Sequence, residues 1–552
     1  MTRLGGTGLV LLGALVLAGV GGSAPSGTAG DIDTTFGDNG AVLASISTYG
    51  AEAEAVVVQP DGKIVLAGST RPPPPPPLPP LSPLNLPSRP AGEIGNMDFL
   101  ALRLNADGSR DSGFGSDGFV RTPIDYVPGA ANWASAVALG PDGSIVLAGT
   151  ALSGLFARDF AYVRYTSAGE LDPTFSGDGI QTIDVDEYDE AFGVAVQPSD
   201  GKIVAVGRSE VSDHTFTAMR LNVDGTLDDS FGSGGVSRIN VGESSFDTPS
   251  AVALTPAGTI LAAGTADDTD GHGDFALVRY LSDGQPDPAF GDGGVVVTHD
   301  PANEHLHSLV LAPDGKALVS GIVYQEGGWL LRVERYLPDG HLDPTFGGSG
   351  IVTTTFGSNS LRAGATVQDD GKVVASVAVL VPPRLRFGLV RYTADGAIDP
   401  TFGGGTRVYE FGTGSATPSA VAIQGGGIPV AERIIEVGGH YDSFSNRSDM
   451  AAIRVLTGPP GQPPPPQPPP VPPPPPVGPP PPPPPTVRCV VPRVVHLRLA
   501  KARTKIRRAH CRVGRVRSLR SRRFRGIVVK QSPRAGRRLQ RGARVNLVVG
   551  RR

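Results

Sequence analysis

Cysteine is almost missing from this chain of 552 residues: two are present, at 489 and 511. Everything before Cys489 therefore lacks a thiolate nucleophile, a cysteine metal site and a disulfide staple. Also missing are a G-x-S-x-G elbow, a Walker loop and an H-E-x-x-H pair, the patterns that would point to nucleophilic, phosphate-binding or zinc-protease chemistry. Long apolar runs are absent apart from "GLVLLGALVLAGV" (8–20). As a helix it would span ~20 Å, short of a ~30 Å hydrocarbon core. Arg3 before it and small residues after it read as an export signal, residues 1–29, with Gly27 and Ala29 at −3 and −1 of the cut. No other stretch is expected to cross a membrane.

Acid is missing from the end of the chain. From Val487 to Arg552 there are 23 Lys and Arg and no Asp or Glu, which leaves 26 basic against 53 acidic residues elsewhere. The formal charge of −4 thus hides an acidic body and a basic tail. Such asymmetry implies a polyanionic partner for the tail.

What is abundant is glycine, 75 residues, and proline, 54, with only 6% aromatics. That mix suits short strands and tight turns better than long helices. The stretch "QPDPAFGDGG" (285–294) has relatives along the chain, among them "DIDTTFGDNG" (31–40), "ELDPTFSGDG" (170–179) and "HLDPTFGGSG" (341–350). Their phenylalanines stand at 36, 114, 175, 231, 290, 346 and 402. The long first step holds a Pro-rich insert, 72–90, without which the seven copies recur about every 57 residues. Each copy reads as four short strands. A "GVVV"-like run leads into a hairpin around Pro-Asp-Gly, and a "DFALVRY"-like segment follows. Four antiparallel strands repeated seven times predict a seven-bladed β-propeller over 31–456. An open solenoid would need capping units, and none is visible.

Six arginines precede an aspartate by eight residues, from Arg103–Asp111 to Arg391–Asp399. Arg454 has no such partner ahead, and Asp33 has none behind, so a closed ring would pair Arg454 with Asp33. The glycines and aspartates of the motif are therefore expected to brace blades rather than bind ligands seven times over. Through "LDPTFG…G", "PDGKIVLAG" and "FALVRY" the region 31–456 resembles the delta-60 repeat family. The resemblance implies a propeller-like fold and brings no established activity or catalytic residues.

Antiparallel connection puts the Pro-Asp-Gly turns on one face and the length-variable loops on the other, where binding residues usually lie. Two of those loops hold candidate ligands. "THDPANEHLHS" (298–308) gathers His299, His305 and His307, enough for a zinc site, against the plainer reading of a polar loop. "DDTDGHGDF" (267–275) offers Asp268, Asp270 and Asp274 to calcium, against a solvated turn. No catalytic residue and no other cofactor is expected.

Residues 459–485 are nearly all proline and predict a polyproline II spacer of about 80 Å. In the tail, 487–552, Leu499, Ala502, Ile506 and Ala509 form one helical stripe and alternating segments follow, giving a small α/β unit. Cys489 and Cys511 flank the helix, and in an exported protein they are expected to pair. Through "VPRVVHLRLAKARTKIRRA" (491–509), "GIVVKQSPRAG" (526–536) and "LQRGARVNLVV" (539–549) the tail resembles a PASTA domain. That resemblance implies a module that binds peptidoglycan fragments; the charge makes anionic wall polymers an equal candidate. Nucleic acid is not expected, since Phe524 is the tail's one aromatic residue.

The chain thus reads as mostly β: a seven-bladed β-propeller, a Pro-rich linker and a small α/β PASTA-like domain. The expected role is a secreted, wall-associated binding scaffold. The alternative is an extracellular propeller hydrolase or lyase acting on a wall or matrix polymer.

Overall fold

The computed structural model describes residues 27–458, except 71–96 and the short stretches 47–49, 125–130, 155–156, 211–213, 243–246, 269–270, 326–327, 357–359, 426–431 and 443–446. It also describes 489–551, except 521–524, 536–537 and 540–542. The Pro-rich insert, the linker, most of the expected signal peptide and Asp270 lie outside the described residues. Two compact units result, divided between Pro465 and Pro466.

The first unit is a seven-bladed β-propeller. Blade 1 orders Ala51–Val58, Ile64–Thr70, Asp98–Leu104 and Phe119–Thr122 side by side, and five further blades repeat that antiparallel order. Blade 7 is different. It takes Ser415–Gln424, Arg433–Asp442 and Arg447–Leu456 from the end of the repeat region, and its fourth strand, Ala41–Ala44, comes from the beginning. Leu43 pairs with Ala451 across this seam. The short "GVVV"-like run that opens each sequence copy is thus the outer strand of the preceding blade. Sequence copy and structural blade are offset by one strand, and that offset closes the ring without a covalent bond.

Burial follows strand position. In blade 1 all seven residues of Ile64–Thr70 and all seven of Asp98–Leu104 are buried. The innermost strand is less buried: Ala51 and Ala53 are covered, Glu52 between them is exposed, and the five residues from Glu54 to Val58 are half-buried. The core sits between neighbouring blades: Val65, Ala67 and Phe99 of blade 1 pack with Ala134, Ile145 and Leu147 of blade 2.

The second unit has its own core. The helix Leu499–Arg508 buries Ala502 and Ile506 against Val528, Val545 and Leu547 of the sheet. That sheet orders Arg512–Arg520, Arg544–Arg551 and Val528–Ser532, the first pair parallel. Cys489 and Cys511 are joined in a disulfide. Among the described residues no helix is long and apolar enough to cross a membrane.

Candidate functional site

The repeated motif builds the junctions between blades. Arg220 Nε lies 2.6 Å from Asp228 Oδ2, its Nη1 donates to the Ser282 carbonyl at 2.6 Å in the next blade, and the guanidinium covers the Phe231 ring at 4.8 Å. Arg391 repeats the arrangement with Asp399 at 2.9 Å, the Thr457 carbonyl at 2.6 Å and Phe402 at 4.7 Å. At the seam Arg454 Nε stands 3.0 Å from Asp33 Oδ2 and 4.8 Å over Phe36, and its Nη1 meets the Ala106 carbonyl of blade 1. Burial alone would raise the Asp343 carboxyl; hydrogen bonds from Thr345 and Lys316 and the charge of Arg335 bring it down to about 2. These aspartates are structural anions.

The two loops singled out for metals are tied together by hydrogen bonds: the Asp300 amide donates to Asp274 Oδ1 at 3.1 Å, and the Gly273 amide to Asn303 Oδ1 at 2.9 Å. His299 Nδ1 lies 2.6 Å from Asp274 Oδ2, joining one loop to the other. Asp268 instead accepts the His272 amide within its own turn at 2.9 Å. His305 faces the Trp329 ring at 5.3 Å, while His307 turns to the propeller axis. The acids of the 298–308 loop go to a buried arginine: Arg332 Nη1 contacts Asp300 at 2.7 Å and also Glu304, and its Nε contacts Glu334 at 2.7 Å. Burial pushes the Glu304 carboxyl up to about 8 despite the attraction of Arg332. Among the described residues no group of three or more His, Cys, Asp or Glu is placed to hold a metal ion.

The side chains that share one open space lie on the axis. Every innermost strand carries a register shift with one extra residue, a β-bulge. In blades 1 to 3 the bulged residues are Glu54, Ser135 and Phe192; in blades 4 to 7 they are Ser250, His307, Arg362 and Ser419. All seven line one axial cavity of about 800 Å³, with Trp133 and Tyr441. Its lining reaches Gly50, Tyr441 and Ser448, at strand ends on the variable-loop face.

A glycine on the second strand makes this bulge possible. A Cβ at Gly149 would lie 2.0 Å from the Trp133 carbonyl oxygen, and the equivalent Gly68, Gly207, Gly264, Gly321 and Gly438 are as tight, 1.9–2.2 Å. Blade 6 has Ala378 there instead, paired with Leu361. Its backbone turns differently: Arg362 takes φ +65°, unlike the other six bulged residues. The Arg362 guanidinium extends to Glu54 Oε2 of blade 1 at 2.6 Å and Ser419 Oγ of blade 7 at 3.1 Å. Burial, with the nearby His305 and the Arg362 charge, lowers His307 to about 4, so its imidazole is neutral at pH 7. Its Nδ1 is buried without a hydrogen-bond partner among the described residues. Sequence reasoning missed this ring. The available signal was a single column, E, S, F, S, H, R, S, that varies among otherwise similar copies.

The tail presents a different surface. Its strand Arg512–Arg520 forms the sheet edge and is exposed along most of its length. With no acid in 487–552, no guanidinium there is neutralised from within the tail. Leu519, 53% exposed, and Val516 interrupt the arginines on that edge.

The family described as "Domain of unknown function (DUF5122) beta-propeller" matches residues 140–175, 199–231, 256–290, 312–346 and 368–402. The PASTA domain family matches 490–551. No curated protein matches the chain. Among solved structures, similarity extends to the Pseudomonas aeruginosa periplasmic gluconolactonase, at 16% identity over 67% of this chain and 95% of that one, TM-score 0.36. A polysaccharide lyase family 25 ulvan lyase gives 10% over 75% and 96%, TM-score 0.38. Drosophila semaphorin 2a gives 7% over 79% and 77%, TM-score 0.42. At these values the likenesses carry nothing about ligand or activity.

Proposed function

We propose that this chain of DUF5122 propeller repeats and a PASTA domain is an exported, wall-associated binding scaffold, held at the wall by its basic tail. The observation that carries the reading is the tail itself: a PASTA fold whose 23 basic residues meet no acid within it. A dense field of that sign recruits polyanions, and PASTA domains generally bind peptidoglycan-related ligands. The Cys489–Cys511 disulfide supports an oxidising compartment outside the cytosol.

The propeller then acts as the presenting head. Its braces consume the repeated charged residues, so the scaffold is rigid at the junctions and variable at the axis and loops. Cell fractionation tests the reading. Full-length protein should stay with the wall fraction, and protein ending at residue 486 should appear in the medium. Retention of the shortened protein in the wall fraction would contradict it.

A further inference from the structure

We propose that the axial cavity of the propeller is a binding site for a neutral oligosaccharide. This goes beyond the wall-anchoring reading and does not depend on it. The volume, about 800 Å³, lies within the range of ligand pockets. Trp133 and Phe192, from adjacent blades, bring flat aromatic surfaces to the lining, which suit the apolar faces of sugar rings. The Arg158 guanidinium stands 5.3 Å from the Trp133 ring centroid and orients the indole. Ser135, Ser250 and Ser419 add hydroxyls that donate and accept, matching the double character of sugar hydroxyls.

Charge selects against the other classes. The described lining holds Glu52 and Glu54 against Arg362, and Arg362 is already bound to Glu54. An anionic ligand would meet net negative charge and no free guanidinium. The paired Arg362 and Glu54 retain unused donor and acceptor positions, the arrangement that grips a neutral diol without a charge requirement. His307 supplies the remaining need, since its buried Nδ1 has no partner among the described residues and an unpaired buried polar atom costs stability until something satisfies it. Neutral imidazole can pair with a hydroxyl in either tautomer.

The chain has only two tryptophans, so full-length Trp329→Phe protein reports from Trp133 alone. Titrating it with cellotetraose, maltotetraose and chitotetraose, with tetragalacturonate as the anionic comparator, tests the proposal by fluorescence and calorimetry. At least one neutral tetrasaccharide should give saturable binding. Arg362→Ala, whose side chain is half exposed, and Ser419→Phe, which fills the cavity, should each weaken it about tenfold or more, equivalent to ~1.4 kcal/mol. Their melting temperatures show that each variant is folded. Absence of binding by all three neutral probes, tighter binding of tetragalacturonate, or binding unchanged in both folded variants would overturn the proposal. Loss of wall retention without loss of saccharide binding would count against the anchoring reading alone.

Discussion

Charge reversal at the ring seam is the sharpest test of the closure. Arg454 and Asp33 have side chains only 10% and 1% exposed, and Arg454 Nη2 also donates to Thr35 Oγ1 at 2.9 Å. Removing one partner of a buried pair costs about 3–5 kcal/mol, mostly because the remaining charge is stranded. Arg454→Glu adds a repulsion, but Arg433 Nε, 3.0 Å from the same Asp33 oxygen, stays in place. The expected loss is therefore near the lower end, ~3 kcal/mol. In a unit of this size that is only about 3 °C in Tm, so equilibrium urea unfolding is the better assay. The control is Arg279→Glu, whose pair with Asp287 joins blades already linked by the chain. Both should lose stability. Only Arg454→Glu should also speed hydrogen exchange at Ala41–Ala44, the strand that closes the ring. Unchanged stability and unchanged exchange in Arg454→Glu would refute the reasoning.

Three further outcomes are expected. Gly149→Ala should destabilise by about 1–3 kcal/mol through overpacking against the Trp133 carbonyl, whereas Ala378→Gly should cost well under half of that in the same unfolding assay. Glu304 has a folded pKa raised to about 8, so its contribution is complete below its ordinary value near 4.5 and is lost as pH rises through 8. Glu304→Gln should flatten the fall in Tm between pH 5 and 8; an unaltered slope would assign that fall elsewhere. The Cys489–Cys511 bond closes a separation of 22 residues, worth about 3 kcal/mol by chain entropy. Reduction, or Cys511→Ser, should therefore lower or abolish the tail's calorimetric transition and leave the propeller's transition in place.

The propeller was legible because its signals are repeated. Seven copies average out local ambiguity, and the unmatched Arg454 and Asp33 carried information about the ring's closure. Strand frame was less legible: the short "GVVV" run looks like the start of a copy, and only pairing across the seam assigns it to the blade before. The axial ring was hidden for a different reason. Alternation puts His305 and His307 on one face, but a bulge at His307 breaks the period of two, and no composition signal marks a bulge. The glycine column at 68, 149, 207, 264, 321 and 438 marks it indirectly, because each glycine admits a carbonyl at a distance no side chain tolerates. The pairing of Asp300 and Glu304 with the buried Arg332 was hidden as well, because a partner on another strand leaves no mark in the spacing of the 298–308 loop.

What the tail binds decides whether it holds the chain at the wall. Full-length protein and protein ending at residue 486 should be sedimented with isolated peptidoglycan, with and without anionic wall polymer, across a salt series. Full-length protein should pellet and the shortened protein should stay in solution. Pelleting that persists at high salt on bare peptidoglycan would mark muropeptide recognition; pelleting that needs the polymer and fades as salt screens the charge would mark electrostatic anchoring. Equal sedimentation of the two proteins, or none by either, would contradict anchoring by the tail.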